Sequence, residues 1–166
     1  MSSPSSVETA AQLVRVLGQQ GRTIAVAESL TGGLVASTIV AVPGASAVLR
    51  GGVVAYATDV KASVLGVDAG LLGRVGAVDS DVADEMAAGV ARLLGADYGL
   101  ATTGVAGPDP QDGQPVGTLF VAVVGPGEDG PTTTIGLELD PALGRDGIRT
   151  AALDEALNAA LDHVGS

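Results

Sequence analysis

The chain has 166 residues, 46% of them apolar and 16% charged, and its eight basic against nineteen acidic side chains give a net charge of −11. This length suits one domain burying about 70% of the surface its unfolded form exposes, and the composition argues against disorder. The charge has the wrong sign for holding phosphate backbones by counterion release, which argues against nucleic acid as a direct partner. Zero cysteines exclude disulfides, thiol chemistry and Cys-ligated zinc, and fit a cytoplasmic protein.

No apolar run approaches about 18 residues, and the start Met-Ser-Ser-Pro-Ser-Ser lacks a basic-then-apolar leader pattern. A soluble, cytoplasmic protein without a membrane partner is the expectation. With two Tyr, one Phe and no Trp, the core has to come from Val, Leu, Ala and Ile.

Residues 1–6 are expected to form a flexible Ser/Pro segment that also supplies a helix cap, and residues 7–166 one domain. From Val7, apolar Ala10, Leu13, Val14 and Leu17 recur at helical spacing until Gly18 and Gly21 stop the run. Thr23 to Ala27 reads as a buried strand, Glu28 to Gly33 as the turn at its carboxyl end, and Leu34 to Val42 as a helix closed by Pro43-Gly44. Val48 to Ala57 offers a second strand in which Gly51-Gly52 marks a bulge or a close backbone approach. A short helix over Asp59 to Leu65 carries Lys61, and Asp68 to Val78 reads as irregular with a helical turn near Leu71.

Ser80-Asp81 opens the strongest helical pattern, with Val82, Met86, Val90, Leu93 and Leu94 on one face. Tyr98 to Thr103 and Gly117 to Val124 are buried strands around a loop of Gly, Pro and Asp; Thr132 to Leu139 is a half-exposed strand, and Arg145 to Val164 returns to helix. The alternation predicts an α/β protein, a three-layer α/β/α domain with a mixed, mostly parallel sheet of about five strands. The short Val124 to Thr132 connection implies an antiparallel last pair. Ligands of such sheets sit outside the carboxyl ends of the strands, where the loops after Ala27, Ala55 and Thr102 gather.

Lys61, in surroundings poor in charge, is a candidate base if burial lowers its pKa, and a neutral amine can deprotonate a serine. Two serines qualify. Ser46 follows a Pro-Gly turn, and Ser29 sits where a strand meets a helix, as other nucleophiles do. The plainer readings are a solvated surface lysine and a serine that forms a turn. Thr31-Gly32-Gly33 presents free N–H groups at a helix start, suited to phosphate or carboxylate, or is simply a turn. The segment Thr102 to Asp109 contains Gly104 and Gly107, whose N–H groups could face a developing oxyanion, or is a mobile surface loop. Arg145 and Arg149 are candidate phosphate clamps or surface ion pairs. His163 receives no role, and without a His pair or clustered carboxylates no metal and no cofactor are expected.

In this order, A-E-S-L-T-G-G (Ala27 to Gly33), V-P-G-A-S (Val42 to Ser46), G-G-V-V-A-Y-A-T-D-V-K-A-S-V-L-G-V (Gly51 to Val67), G-A-V-D-S-D-V-A, T-T-G-V-A-G-P and P-V-G-T resemble the CinA carboxyl-terminal domain family, also known as nicotinamide-nucleotide amidase of the PncC type. The resemblance covers about Val7 to Val164. It implies a three-layer α/β/α fold and metal-independent Ser/Lys hydrolysis of the carboxamide of nicotinamide mononucleotide to nicotinate mononucleotide and ammonia. Carried over, Ser46 and Lys61 are the preferred nucleophile and base, Tyr56 a proton relay or orienting hydroxyl, and Ser29 the second nucleophile candidate. Thr31, Gly32 and Gly33 would shape the nucleotide pocket; Thr103, Gly104 and Gly107 would hold the amide oxygen or the phosphate, and Arg145 would meet the phosphate.

The partner expected is this small-molecule substrate, with a homodimer as the candidate assembly. The alternative is a catalytically silent nucleotide-binding or competence-linked module. Relatives often have Cys at the position of Leu30, and the loop Pro108 to Gln114 is shorter and more acidic than in many of them, which bears on pocket closure and substrate preference.

Overall fold

A capping box opens the described chain, residues 4–166 of a computed structural model. Ser5 accepts from the Glu8 N–H while the Glu8 carboxylate accepts from the Ser5 N–H at 2.7 Å, satisfying donors that helix α1 (Ser6–Gln20) would otherwise leave open. The Ser/Pro segment therefore supplies the cap, and residues 1–3 of the expected flexible segment lie outside the described residues. Gly21, at φ +63°, ends the helix in the left-handed conformation glycine adopts without strain.

Strand β1 (Ile24–Glu28) follows, then α2 (Leu34–Val40), a 3₁₀ turn (Ala45–Ala47) and β2 (Leu49–Val54). Helices α3 (Thr58–Ser63), α4 (Ala69–Val75) and α5 (Ser80–Leu94) lead to β3 (Tyr98–Gly104). Strands β4 (Thr118–Val124) and β5 (Thr132–Glu138) precede a second 3₁₀ turn (Pro141–Leu143) and α6 (Gly144–Gly165). The strand order is β2-β1-β3-β4-β5, with β1 parallel to both β2 and β3 while β3–β4 and β4–β5 are antiparallel. Parallel and antiparallel pairings are thus equal in number. The sequence suggested only the last pair as antiparallel, but residues 105–117 contain no helix to carry the chain back across the sheet, so β4 turns back beside β3.

The two faces of the sheet differ in side-chain size. Ile24, Val26, Leu100, Leu119, Val121 and Val123 pack against α1, α2 and α6. Ala25, Ala27, Ala101 and Ala122 face α5 across the other side. Side chains alternate along a strand, so one run of residues builds both surfaces. Right-handed crossovers explain which helix covers which face: the chain leaves β1 in one direction through α2 and returns past it through α5, so the two helices fall on opposite sides.

The small-residue face lets α5 come very close. A Cβ built on Gly99 would lie 2.0 Å from the Ala87 carbonyl oxygen. The Gly51-Gly52 signal reports both things it suggested: register shifts by one residue opposite Ile24–Ala25, leaving Arg50 unmatched, and a Cβ on Gly52 would meet Val26 and Ala36 at 2.9 and 3.2 Å. The segment expected to be irregular contains α4, started by Asp68, whose carboxylate accepts from the Leu71 N–H at 2.9 Å.

Gly99→Ala is expected to lower stability by about 2 kcal/mol or more, a fall in Tm of about 4–8 °C for a domain this size, read by differential scanning calorimetry. Gly73→Ala, on α4 with nothing within 4 Å of the added atom, should leave Tm unchanged or slightly raised. Equal behaviour of the two would show that α5 moves freely off the sheet.

Candidate active site

The carboxyl ends of β1, β2 and β3 meet at one edge of the sheet, and each gives way to a loop rather than continuing. After β1 the chain turns through Ser29-Leu30-Thr31 and the left-handed glycines Gly32 (φ +57°) and Gly33 (φ +104°) into α2. Glu28 anchors this turn from below. Its carboxylate, 1% exposed, accepts from the Val35 and Ala36 N–H groups at 2.9 and 3.1 Å, closing the positive end of α2 with a negative charge. Ser29 itself is tied in by its N–H to the Thr102 carbonyl (3.1 Å) and by its carbonyl to the Gly32 N–H (3.1 Å).

Helix α3 brings Lys61 beneath this turn. It is the only lysine in the chain, and it is 1% exposed. Its Nζ lies 3.1 Å from Ser29 Oγ, 2.7 Å from the Ala55 carbonyl oxygen and 3.4 Å from that of Tyr56. Burial away from water pushes its pKa from 10.5 down to about 8, the Asp112 carboxylate opposing that shift in part. Carbonyl oxygens only accept hydrogen bonds, whereas a hydroxyl also donates. In the neutral amine the two N–H bonds therefore go to Ala55 and Tyr56, and the remaining lone pair faces the Ser29 hydroxyl. An amine held this way is a base aimed at one oxygen.

Above the pair lies a cleft of about 410 Å³ with Ser29, Tyr56, Gly104, Gly107, Asp109 and Arg145 among its walls. Arg145 spans its mouth, donating to the Tyr56 hydroxyl at 3.0 Å and to the Gly107 carbonyl at 2.5 Å. It pairs with no carboxylate among the described residues. The N–H groups of Leu30, Ala106 and Gly107 donate to nothing among the described residues, and all three residues line the cleft. A larger hollow of about 560 Å³, lined by Arg92, Asp97, Glu128 and Asp129, lies at the other end of the sheet and brings no base to a nucleophile.

Several expected roles change with these positions. Ser46 is exposed in the 3₁₀ turn that precedes β2, at the amino end of the sheet, beside an apolar hollow of Val40, Val42 and Leu49. One strand length separates it from the end where Lys61 sits, so the structure unites Lys61 with Ser29 and not with Ser46. The Tyr56 hydroxyl accepts from Arg145 and bonds neither Ser29 nor Lys61, and the residue is 62% exposed, so the structure does not place it between the pair as a relay. Thr31 bonds Thr102 between buried hydroxyls at 2.8 Å, and Thr103 donates to the Ala77 carbonyl at 2.7 Å. Neither threonine lines the cleft, and Gly32 and Gly33 shape the turn without lining it. Gly104 does line it, where a Cβ would strike the Thr118 carbonyl at 2.5 Å.

Sequence reasoning missed Glu28, although an acidic residue just ahead of a glycine turn and a helix is a capping signal. It also left Arg149 as an alternative phosphate clamp. Its guanidinium instead holds the carbonyls of Leu30 (2.9 Å) and Thr31 (3.3 Å). Among the described residues no group of three or more His, Cys, Asp or Glu is gathered to hold a metal ion, and no described helix is long and apolar enough to cross a membrane.

Comparison with known proteins places this arrangement among relatives. A CinA-like protein of Frankia casuarinae is 57% identical over 144 residues, covering 86% of this chain and 32% of that protein. One of Gloeobacter violaceus is 48% identical over 151 residues, covering 90% and 34%. The chain thus spans about a third of the length of these relatives. Among solved structures, the competence/damage inducible protein CihA of Agrobacterium tumefaciens superposes with a TM-score of 0.90 at 32% identity over 100% of both chains. The competence damage-inducible protein A of Klebsiella pneumoniae gives 0.91 at 31% identity over 98% of both. Residues 6–164 match the family described as the CinA C-terminal domain, and with the identities above the chain belongs to that family.

Proposed function

We propose that the chain is a nicotinamide-nucleotide amidase, hydrolysing the carboxamide of nicotinamide mononucleotide to nicotinate mononucleotide and ammonia. The observation that carries this reading is the buried, pKa-lowered Lys61 amine 3.1 Å from Ser29 Oγ at the base of a cleft whose mouth holds an arginine with no carboxylate partner among the described residues. Sequence resemblance supplies the substrate; the geometry supports the chemistry.

In this mechanism neutral Lys61 takes the Ser29 hydroxyl proton as Oγ attacks the amide carbon. Negative charge then develops on the amide oxygen, and the unpaired N–H groups of Leu30, Ala106 and Gly107 are the donors within the cleft suited to receive it. The Lys61 ammonium returns its proton to the departing nitrogen, the C–N bond breaks and ammonia leaves. A water molecule deprotonated by the same amine cleaves the resulting ester, giving the acid and restoring the Ser29 hydroxyl. Arg145 receives the substrate phosphate, exchanging its two neutral acceptors for a charged one.

Ser29→Ala and Lys61→Met are expected to lower ammonia release from nicotinamide mononucleotide by about 10²–10⁴-fold, while Ser46→Ala turns over like the parent. Undiminished turnover by Ser29→Ala would sink the nucleophile assignment. A melting point raised by the nucleotide without any ammonia after long incubation would favour the silent binding module instead.

The rate should rise with pH through about 8, where Lys61 loses its proton, rather than near the ordinary lysine value. A profile still climbing at pH 10 would show that the amine is solvated.

Stability carries the same signature. Because the folded pKa lies below the ordinary 10.5, the unfolded chain holds the extra proton between about pH 8 and 10.5, and the lysine's contribution to stability rises with pH across that window. The stability of Lys61→Met relative to the parent should therefore fall between pH 8 and 10.5, by up to about 3 kcal/mol, in urea melts at each pH. A constant difference would mean the ammonium is not desolvated.

A further inference from the structure

The turn that carries Ser29 is held from one side by an arginine with no other strong partner. Arg149, in the second turn of α6, donates through Nε to the Leu30 carbonyl at 2.9 Å and through a terminal nitrogen to the Thr31 carbonyl at 3.3 Å. Its nearest carboxylate, Asp146, is 3.9 Å away and 98% exposed, a pairing of little energetic weight. Among the described residues the Leu30 carbonyl has no other donor, although Leu30 is buried. The neighbouring Ile148 and Ala152 are fully buried, so α6 is a fixed platform for this grip.

In a trans peptide the carbonyl and the following N–H point in opposite directions. Arg149 alone among the described residues draws the Leu30 carbonyl toward α6, and it holds the Thr31 carbonyl together with the Leu34 N–H at 3.0 Å; the two planes orient the N–H groups of Thr31 and Gly32, and the Gly32 N–H closes on the Ser29 carbonyl at 3.1 Å. The orientation of Ser29 is linked through two peptide planes to one guanidinium. A planar fork suits two adjacent acceptors, whereas a lysine ammonium offers a point charge on a flexible stem.

We propose that Arg149 is a positioning residue: by holding the Leu30 and Thr31 carbonyls it keeps Ser29 Oγ in line with the Lys61 amine. The kinetic consequence rests on the amidase reading, while the alignment is read independently of the substrate. A displacement near 1 Å at a reacting group costs about 10²-fold.

The test compares the parent chain, Arg149→Lys, Arg149→Ala and the surface control Asp146→Asn. Two rates are measured: ammonia release from nicotinamide mononucleotide, and labelling by a fluorophosphonate. In that probe reaction Ser29 Oγ forms a bond to phosphorus, the P–F bond breaks, fluoride leaves and the hydroxyl proton passes to Lys61. Both Arg149 variants should lose about 10–10²-fold in kcat with KM within about twofold, and Ser29 labelling should slow by the same factor. Guanidinium chloride at millimolar concentration should restore part of the labelling in Arg149→Ala, and Asp146→Asn should match the parent.

Labelling of either variant at the parent rate, a rise in KM alone, or an unlabelled Ser29 in the parent would overturn the inference. If the parent is labelled but makes no ammonia, the substrate reading fails, and the labelling ratios alone decide on Arg149. Should Arg149→Ala not fold, Arg149→Lys, which keeps the stem and the charge, gives the same discrimination.

Discussion

A lysine ammonium removed from water loses its hydration, and the loss is recovered only in part by hydrogen bonds. This chain has a single lysine and buries it. The three hydrogen-bond partners of Nζ come from separate places: Ser29 from the turn after β1, and Ala55 and Tyr56 from the segment linking β2 to α3. They converge because β1 and β2 are adjacent and parallel, so both strands end at the same edge. Shifting that register by one residue would turn the Ser29 side chain away from the amine. The Ala55 N–H to Glu28 carbonyl bond, 2.9 Å, extends the parallel ladder to the doorstep of the site and resists such a slip.

The two-sided sheet serves the same end. On the α5 side, Ala27, Ala55 and Ala101 pack into the alanine-rich cluster near Lys61, and small side chains exclude water there by letting the helix approach closely. On the other side, bulky Ile24, Val26 and Leu100 join the sheet to α1 and α6, and α6 delivers Arg145 to the cleft and Arg149 to the carbonyls of the turn. The site sits where the crossovers from β1 and to β3 part toward opposite faces, the place in an open α/β sheet where loops leave a crevice.

How much of this was legible in the sequence follows from the range of each interaction. Strands, long helices and the three layers could be read because periodicity is local. The candidate base could be read too, since Lys61 stands in a stretch with few charges. Its partner could not: Ser29 and Ser46 both follow plausible turns, and only the direction of the chain through the sheet sends one to the carboxyl end and the other to the amino end. The family resemblance implies Thr31 and Thr103 at the pocket, yet pairing to Thr102 and Ala77, residues distant in sequence, turns their hydroxyls inward. Arg149 met the same limit. Its acceptors lie more than a hundred positions away, and carbonyls leave no mark in a sequence.

Under the proposed function, the placement of charge along the cleft explains how a neutral Lys61 amine would survive the arrival of an anionic substrate. A phosphate seated beside Lys61 would favour the ammonium and raise its pKa, removing the lone pair that Ser29 needs. Arg145 stands instead at the mouth with two neutral acceptors, and Arg149 is engaged by carbonyls of the turn. Under the proposed function the anionic end of the ligand is therefore drawn to the rim, and the uncharged carboxamide is the part that reaches the floor. In a chain of net charge −11 that local positive point also counters a field that would otherwise repel the ligand. On that proposal, recognition by charge and catalysis by a neutral amine are compatible because Arg145 stands at the mouth of the cleft and the Ser29–Lys61 pair at its base.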